Sequence, residues 1–125
     1  MKTSFTYFDF IKEKGRPLTE INPGSDELAL TVEDALDGLR LLQDSKKAIL
    51  GGDIFSQRDD KLIYAYKLWG EQYIYLNWYC DKMDNESQSD YLLRSYTTAK
   101  DSVIRAYEIA KKLKHDCYVV FVIEG

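Results

Sequence analysis

The sequence contains few of the residue types on which catalytic and metal sites are usually built. Among its 125 residues there is one histidine, and there are two cysteines and two prolines. The low proline content and the lack of any biased tract argue against intrinsic disorder. His115 has no evident orienting partner, and Cys80 has no second ligand close by in sequence. Composition and spacing therefore indicate no catalytic residue, no metal site and no cofactor.

Long apolar runs and a strong charge of one sign are missing as well. The longest apolar run, Tyr118 to Ile123, is far shorter than the roughly 20 residues of a membrane-spanning helix. Asp9 interrupts the apolar N-terminal stretch, which has no small-residue cleavage site, so no secretory signal is predicted. Cys80 and Cys117 lie in apolar runs, which favours reduced thiols and a cytoplasmic protein. The net charge of −4 argues against binding to nucleic acid.

Aromatic side chains are abundant: the chain has ten Tyr, five Phe and two Trp. They concentrate between Lys61 and Tyr79, which we predict to be a hairpin of two aromatic strands. Because strand side chains alternate between two faces, some of them must face away from the core, while packing under a helix accounts for the others. Tyr and Trp often dominate the binding energy of protein interfaces. The candidate partner-binding residues are these aromatic side chains and two nearby acids: Tyr64, Tyr66, Trp69, Tyr73, Tyr75, Trp78, Asp53 and Glu86.

Two segments have the apolar spacing of amphipathic helices. Val32 to Leu42 follows a capping-box pattern that begins at Thr31. A longer stripe extends from Leu92 to Leu113, with Ser87 or Ser89 as the candidate N-cap. The sequence therefore predicts one short and one long helix.

Two other segments are predicted strands. Lys47 to Phe55 contains Gly51 and Gly52, and glycines within a strand are typical of a bulge or a close backbone approach. Cys117 to Ile123 is apolar on both faces, which predicts a central strand covered on both sides.

The order of these elements predicts a single α+β domain over residues 1–125, with a mostly antiparallel sheet packed by the two helices. Residues 3–11 fit either a strand or a short helix. Residues 12–24 are predicted to be a loop, because they contain two prolines and two glycines.

A resemblance to a known family rests on several short motifs in a fixed order. They are Gly51-Gly52-Asp53, then Asn77-Trp78-Tyr79, then Glu86-Ser87, then Tyr91 and Ser95 with Ala99. This order resembles the immunity protein 40 family, small intracellular α+β proteins encoded beside secreted toxins of bacterial polymorphic toxin systems. The likeness spans Ala48 to Tyr107, and nothing in the first 45 residues matches.

The resemblance implies a non-enzymatic antitoxin that binds and blocks its cognate toxin domain in the producing cell. It leaves open whether Asp53, Trp78 and Glu86 contact the toxin or maintain the fold. Gly51, Gly52 and Ser95 are interpreted as structural.

Two alternatives belong to other functional classes. One is a small enzyme or ligand-binding domain with its site around Asp53, Glu86 and His115, which requires these three residues to converge. The other is a homodimeric structural protein that pairs through an aromatic sheet face or edge. The uneven charge favours a binding protein, because residues 1–90 have a net charge of −6 and residues 91–116 a net charge of +3. Such a dipolar molecule attracts a basic partner over long range.

Overall fold

One antiparallel sheet, with its main helices packed on one face, forms the framework of the protein. The computed structural model describes residues 5–18 and 27–124. In the order β1-β2-β6-β3-β4, with β5 beside β3, the strands are β1 (Arg16–Pro17), β2 (Leu28–Thr31), β3 (Ile49–Arg58), β4 (Lys61–Tyr64), β5 (Trp78–Tyr79) and β6 (Tyr118–Ile123). The helices are α1 (Tyr7–Lys14), α2 (Val32–Ser45), α3 (Ala65–Trp69), a 3-10 helix (Glu71–Leu76) and α4 (Gln88–Leu113). The predicted α+β class is confirmed.

β6 is the strand that joins the two halves of the sheet. Val119 lies opposite Leu30 of β2 on one side and Ile54 of β3 on the other. Val119 and Phe121 pack in the main core, between the sheet and the helices. Val120 packs in a second cluster on the opposite side of the sheet, which we call the far face. β6 is therefore central, as predicted, but its far face is covered only around Val120, since Val122 on that face is 42% exposed.

Both predicted amphipathic helices form where their apolar spacing indicated. The hydroxyl of Thr31 accepts a hydrogen bond from the Asp34 N–H (3.2 Å) at the start of α2. At the start of α4 the hydroxyl of Ser87 accepts from the Asp90 N–H (3.1 Å), so Ser87 is the N-cap. The buried stripe of α4 consists of Tyr91, Ser95, Tyr96, Ala99, Val103, Ala106 and Ala110.

The two glycines of β3 allow β5 to approach closely. A bulge lies between Ile49 and Gly51, and Gly51 and Gly52 pair with Tyr79 and Trp78. A Cβ atom on Gly52 would overlap the Trp78 ring, and one on Gly51 would overlap the Trp78 carbonyl oxygen. The bulge and the close approach predicted from the sequence are both present.

The hairpin predicted for Lys61 to Tyr79 is wrong. β4 ends at Tyr64, and the chain then forms α3, turns at Gly70 with a φ of +133°, and continues as the 3-10 helix. β5 pairs with β3 rather than with β4. The alternating aromatic pattern fits a strand, but the helical turns are preferred because they direct Trp69 and Leu76 into the main core.

Near the N-terminus the chain is helical. Residues 3–11 fitted either a strand or a helix, and α1 begins after Thr6, which forms a capping box with Asp9. The helix continues to Lys14, inside the predicted loop, and residues 16 and 17 form β1. Residues 19–24 of that loop lie outside the described part of the chain.

Candidate functional site

The three residues of the enzyme alternative do not converge. Glu86 precedes the first turn of α4 and His115 follows its last turn. Since α4 has 26 residues, its ends are about 39 Å apart. Acid–base partners must lie within hydrogen-bonding distance or be linked by one water, so Glu86 and His115 cannot act at one site. His115 instead donates its backbone N–H to the carbonyl of Ala110 (2.9 Å) and stacks its ring on Trp69.

Over residues 5–18 and 27–124, no group of three or more His, Cys, Asp or Glu side chains lies close enough to hold a metal ion. Cys80 and Cys117 are both free. Burial raises the pKa of the Cys117 thiol to about 12, so this thiol stays protonated at neutral pH.

The Asn77-Trp78 motif attaches β5 to the edge of β3. The side-chain oxygen of Asn77 accepts a hydrogen bond from the Ile54 N–H (2.8 Å), between the parts of β3 that pair with β4 and with β5. Trp78 places its ring against Gly52 and packs edge-to-face on Phe121, with ring centroids 6.2 Å apart. These contacts fix the direction in which the chain leaves β5.

Arg94 holds the loop between β5 and α4. Its guanidinium forms a two-pronged ion pair with Glu86, in which both N–O distances are 2.7 Å. It also donates to the backbone carbonyl of Asp81 (2.7 Å), while Glu86 accepts from the Met83 N–H (3.1 Å). The hydrogen bond from Arg94 is the main reason that the pKa of Glu86 is lowered to about 2. Both oxygens of Glu86 are therefore engaged within the loop.

Two hydroxyl groups on α4 form hydrogen bonds with the backbone of the same region. The Tyr91 hydroxyl donates to the carbonyl of Cys80 (2.6 Å). The Ser95 hydroxyl accepts from the Ile49 N–H (3.2 Å) and donates to the Leu92 carbonyl (3.0 Å). Ser95 thus links α4 to the start of β3. The residues of the sequence motifs therefore lie around β5 and support it.

The exposed side chains of this region are both apolar and acidic. We call residues 71–90 the edge segment. Among the described residues nine large apolar side chains are exposed, and the edge segment contributes four of them: Ile74, Tyr75, Tyr79 and Met83. It also has five acidic residues and one basic residue, a net charge of −4, whereas the rest of the chain is balanced at 16 of each. The whole excess of negative charge therefore lies in the edge segment.

Asp53 lies on the far face of the sheet with tyrosines on either side. Tyr79 is opposite Gly51, and Tyr64 is opposite Phe55. Since opposite residues of an antiparallel pair point to one face, and Asp53 is two residues from both Gly51 and Phe55, all three side chains share the far face. Burial, and then the nearby Glu27, raise the pKa of Asp53.

Glu27 was not a candidate from the sequence, because only the folded sheet brings the start of β2 near β3. Burial is also the main reason that the pKa of Tyr64 is raised, followed by the charge of Asp53. The far face therefore combines two mutually repelling carboxylates with an aromatic side chain.

The other predicted aromatic residues differ in accessibility. Trp69 and Trp78 are each 9% exposed and lie in the main core. Tyr73 is half-buried and packs edge-to-face on Trp69, with ring centroids 6.2 Å apart. Tyr66 is half-buried beside Tyr64. The two tryptophans are thus placed to support the surface from within.

A family model described as immunity protein 40 matches residues 17–123. The chain belongs to the immunity protein 40 family. The match extends the resemblance from the region between Ala48 and Tyr107 to β2, α2 and β6, and it leaves α1 outside. No curated protein and no solved structure matches this immunity protein 40 chain. None of its described helices is long and apolar enough to cross a bilayer.

Proposed function

We propose that the protein binds and neutralises a cognate secreted toxin domain of a bacterial polymorphic toxin system. The observation that carries this proposal is the family match over residues 17–123. In the proposal, inhibition occurs by protein–protein contact in the cytoplasm of the producing cell and without any reaction catalysed by the immunity protein. The length of α4 supports the proposal that the protein catalyses no reaction, because it separates Glu86 from His115, two of the three residues considered for catalysis.

The proposed contact residues come from the accessible members of the aromatic set and from Asp53. Tyr75 is exposed, and Tyr64, Tyr66 and Tyr73 are half-buried. The ionised form of Asp53 is disfavoured in the isolated protein, because the carboxylate is partly desolvated and close to Glu27. A basic side chain of the toxin placed beside it would favour the ionised carboxylate.

Trp69, Trp78 and Glu86 have supporting roles in this proposal. The two tryptophans are buried under the surface, and Glu86 is held by Arg94. Substitution of any of them would disturb binding through the fold.

Co-expression with the toxin domain encoded beside the gene tests the function. Induction of the toxin domain alone should stop growth of a bacterial host, and the immunity protein should restore it. Light scattering of the purified mixture should then give a 1:1 complex. A toxin that remains lethal, with no complex at micromolar concentrations, would contradict the proposal.

The same light-scattering measurement on the immunity protein alone tests the homodimer that the sequence left open. A measured mass of one chain contradicts the homodimer. If the protein alone has the mass of two chains and the mixture with toxin contains only the 1:1 complex, the toxin and the second chain compete for one surface.

A further inference from the structure

We propose that the exposed side of the edge segment, residues 71–90, is the docking surface for the toxin, and that the toxin presents a basic face to it. This inference rests on the proposed function and moves its contact surface, since of the proposed contact residues only Tyr73 and Tyr75 lie in the edge segment. It also makes the contacting face of the toxin basic. It departs from the sequence prediction, which centred the interface on a hairpin between Lys61 and Tyr79.

Charge complementarity identifies the partner as basic. Glu86 is neutralised by Arg94, so the unpaired excess comes from Glu71, Asp81, Asp84 and Asp90, against Lys82. With Arg94 counted against Glu86, these side chains sum to −3 and the other residues of the chain to −1, so the attraction of a basic protein is directed to this segment. Charges placed around an interface accelerate association and reject partners of the wrong sign.

Exposed apolar side chains supply the contact area that charges alone lack. Tyr79 is 88% exposed and Tyr75 is 55% exposed, and Ile74 and Met83 are more than half exposed. Tyrosine is enriched among the residues that dominate binding energy, because its large and rigid ring buries much area with few rotatable bonds. Three of the four exposed apolar side chains lie in residues 71–80 and four of the five acids in residues 81–90, so a toxin face with an apolar part beside a basic part fits the segment.

The edge segment is already ordered before any partner binds. Arg94 joins Glu86 and Asp81, Tyr91 bonds to Cys80, and Asn77 bonds to β3. A surface fixed in advance loses little conformational entropy on association, which favours tight binding.

The opposite end of α4 defines how a basic partner would be oriented. Lys111 and Lys112 lie in its last turn and Lys114 follows it. These charges are about 39 Å from the N-terminus of α4, where residues 81–90 lie. The start of the edge segment lies nearer to the lysines, because Trp69, just before it, stacks on His115. A basic toxin face is therefore attracted to residues 81–90 and repelled at the other end of α4.

The first experiment measures affinity for the purified toxin domain encoded beside the gene, at 50 and 300 mM NaCl. Asp81→Lys/Asp84→Lys is compared with Asp37→Lys/Asp101→Lys, which changes the net charge equally at exposed positions on α2 and α4. We expect the first pair to weaken binding at 50 mM NaCl by at least about tenfold, mainly through slower association. The control pair should stay within about threefold, since its charges lie outside the interface.

A second arm tests the apolar contacts. Tyr75→Ala and Tyr79→Ala should each weaken binding about 30-fold, the effect typical of an interface hot spot. Tyr107→Ala removes an exposed tyrosine from α4 and should have no effect. The amide variant Asp81→Asn/Asp84→Asn gives an intermediate loss without introducing positive charge, and circular dichroism verifies that each variant is folded.

The outcomes distinguish a failure of the docking proposal from a failure of the proposed function. If the wild-type protein does not bind the toxin domain, the proposed function fails. If it binds and Asp81→Lys/Asp84→Lys binds with the same affinity and salt dependence, the docking proposal is overturned and the function stands. Loss of affinity in both arms, with both controls unchanged, supports it.

Discussion

Gly52 provides space for a neighbouring ring rather than an unusual backbone angle. A methyl group at this position would meet the indole of Trp78, which has little room to move between β3 and Phe121. We expect Gly52→Ala to lower the free energy of unfolding by about 1–3 kcal/mol, the usual cost of overpacking. Urea denaturation measures this change. In Gly52→Ala/Trp78→Leu the clash is relieved, so the two effects should be less than additive; full additivity would contradict the packing explanation.

Tyr7 has a buried hydroxyl for which the described residues offer no hydrogen-bond partner. Its ring lies in the main core beside Gly38, and burial raises its pKa. Tyr7→Phe removes the unsatisfied group and keeps the ring, so we expect a gain of about 1 kcal/mol in the free energy of unfolding. Tyr7→Ala, by contrast, should lose about 3–5 kcal/mol through the cavity it creates. A loss of stability in Tyr7→Phe would show that the hydroxyl is satisfied in solution.

The raised pKa of Asp53 makes stability depend on pH. Because the folded-state pKa lies above the usual 3.8, Asp53 contributes most to stability below that value, and the contribution is lost as the pH rises through the folded-state pKa. Asp53→Asn should therefore be more stable than the wild type at pH 7 and equal to it near pH 3. Urea midpoints at the two pH values measure the effect, with the exposed Asp101→Asn as the control. Equal midpoints at pH 7 would contradict it.

At the scale of elements, the ion pair between Arg94 and Glu86 is one of the contacts that hold the loop between β5 and α4. The pKa of Glu86 is lowered from 4.5 to about 2, so its stabilising contribution is present above pH 4.5 and is lost as the pH falls toward 2. In Glu86→Gln we expect faster hydrogen exchange of the Met83 amide at pH 6, and an unfolding midpoint that converges with the wild type near pH 2. Glu108→Gln, at an exposed position of α4, is the matched control. Unchanged exchange at Met83 would show that the loop is held by other contacts.

The elements with a long and regular pattern were predictable from the sequence. α4 repeats its apolar stripe over many turns, and β6 is apolar on both faces, so their type and burial follow from local spacing. Residues 65–76 were not predictable in this way. α3 has five residues and the 3-10 helix has six, too few for a helical period to be distinguished from strand alternation.

Part of the candidate site was predictable as well, because some of its residues can be recognised from the local sequence alone. The acids and tyrosines of the edge segment are visible in the sequence, as are the glycines under Trp78. Glu27 approaches Asp53 only through the order of strands, which no local pattern contains. The role of Arg94 had only a weak signal in the sequence. A glutamate just before a helix N-cap and an arginine in the second turn of that helix lie at ion-pairing distance, as Glu86 and Arg94 do.

At the scale of the whole molecule, β6 makes the two parts of the sheet depend on each other. β2 and β3 are joined through it, and its side chains enter both the main core and the far-face cluster. We therefore expect a single cooperative unfolding transition, in which tryptophan fluorescence and far-ultraviolet circular dichroism have the same urea midpoint. Val119→Ala should move both midpoints equally. Separate transitions would show that the two halves of the sheet fold independently.

The position of β6 in chain order also determines when the fold can be completed during protein synthesis. Arg58 ends β3 and Tyr118 begins β6, so the ribosome adds about 60 residues between them, which takes roughly 3–12 s at ordinary bacterial rates. Until then β3 lacks its central neighbour and β2 has no strand connecting it to β3. A newly made chain thus passes several seconds without its finished sheet, during which only molecules already folded could carry out the toxin neutralisation that we propose.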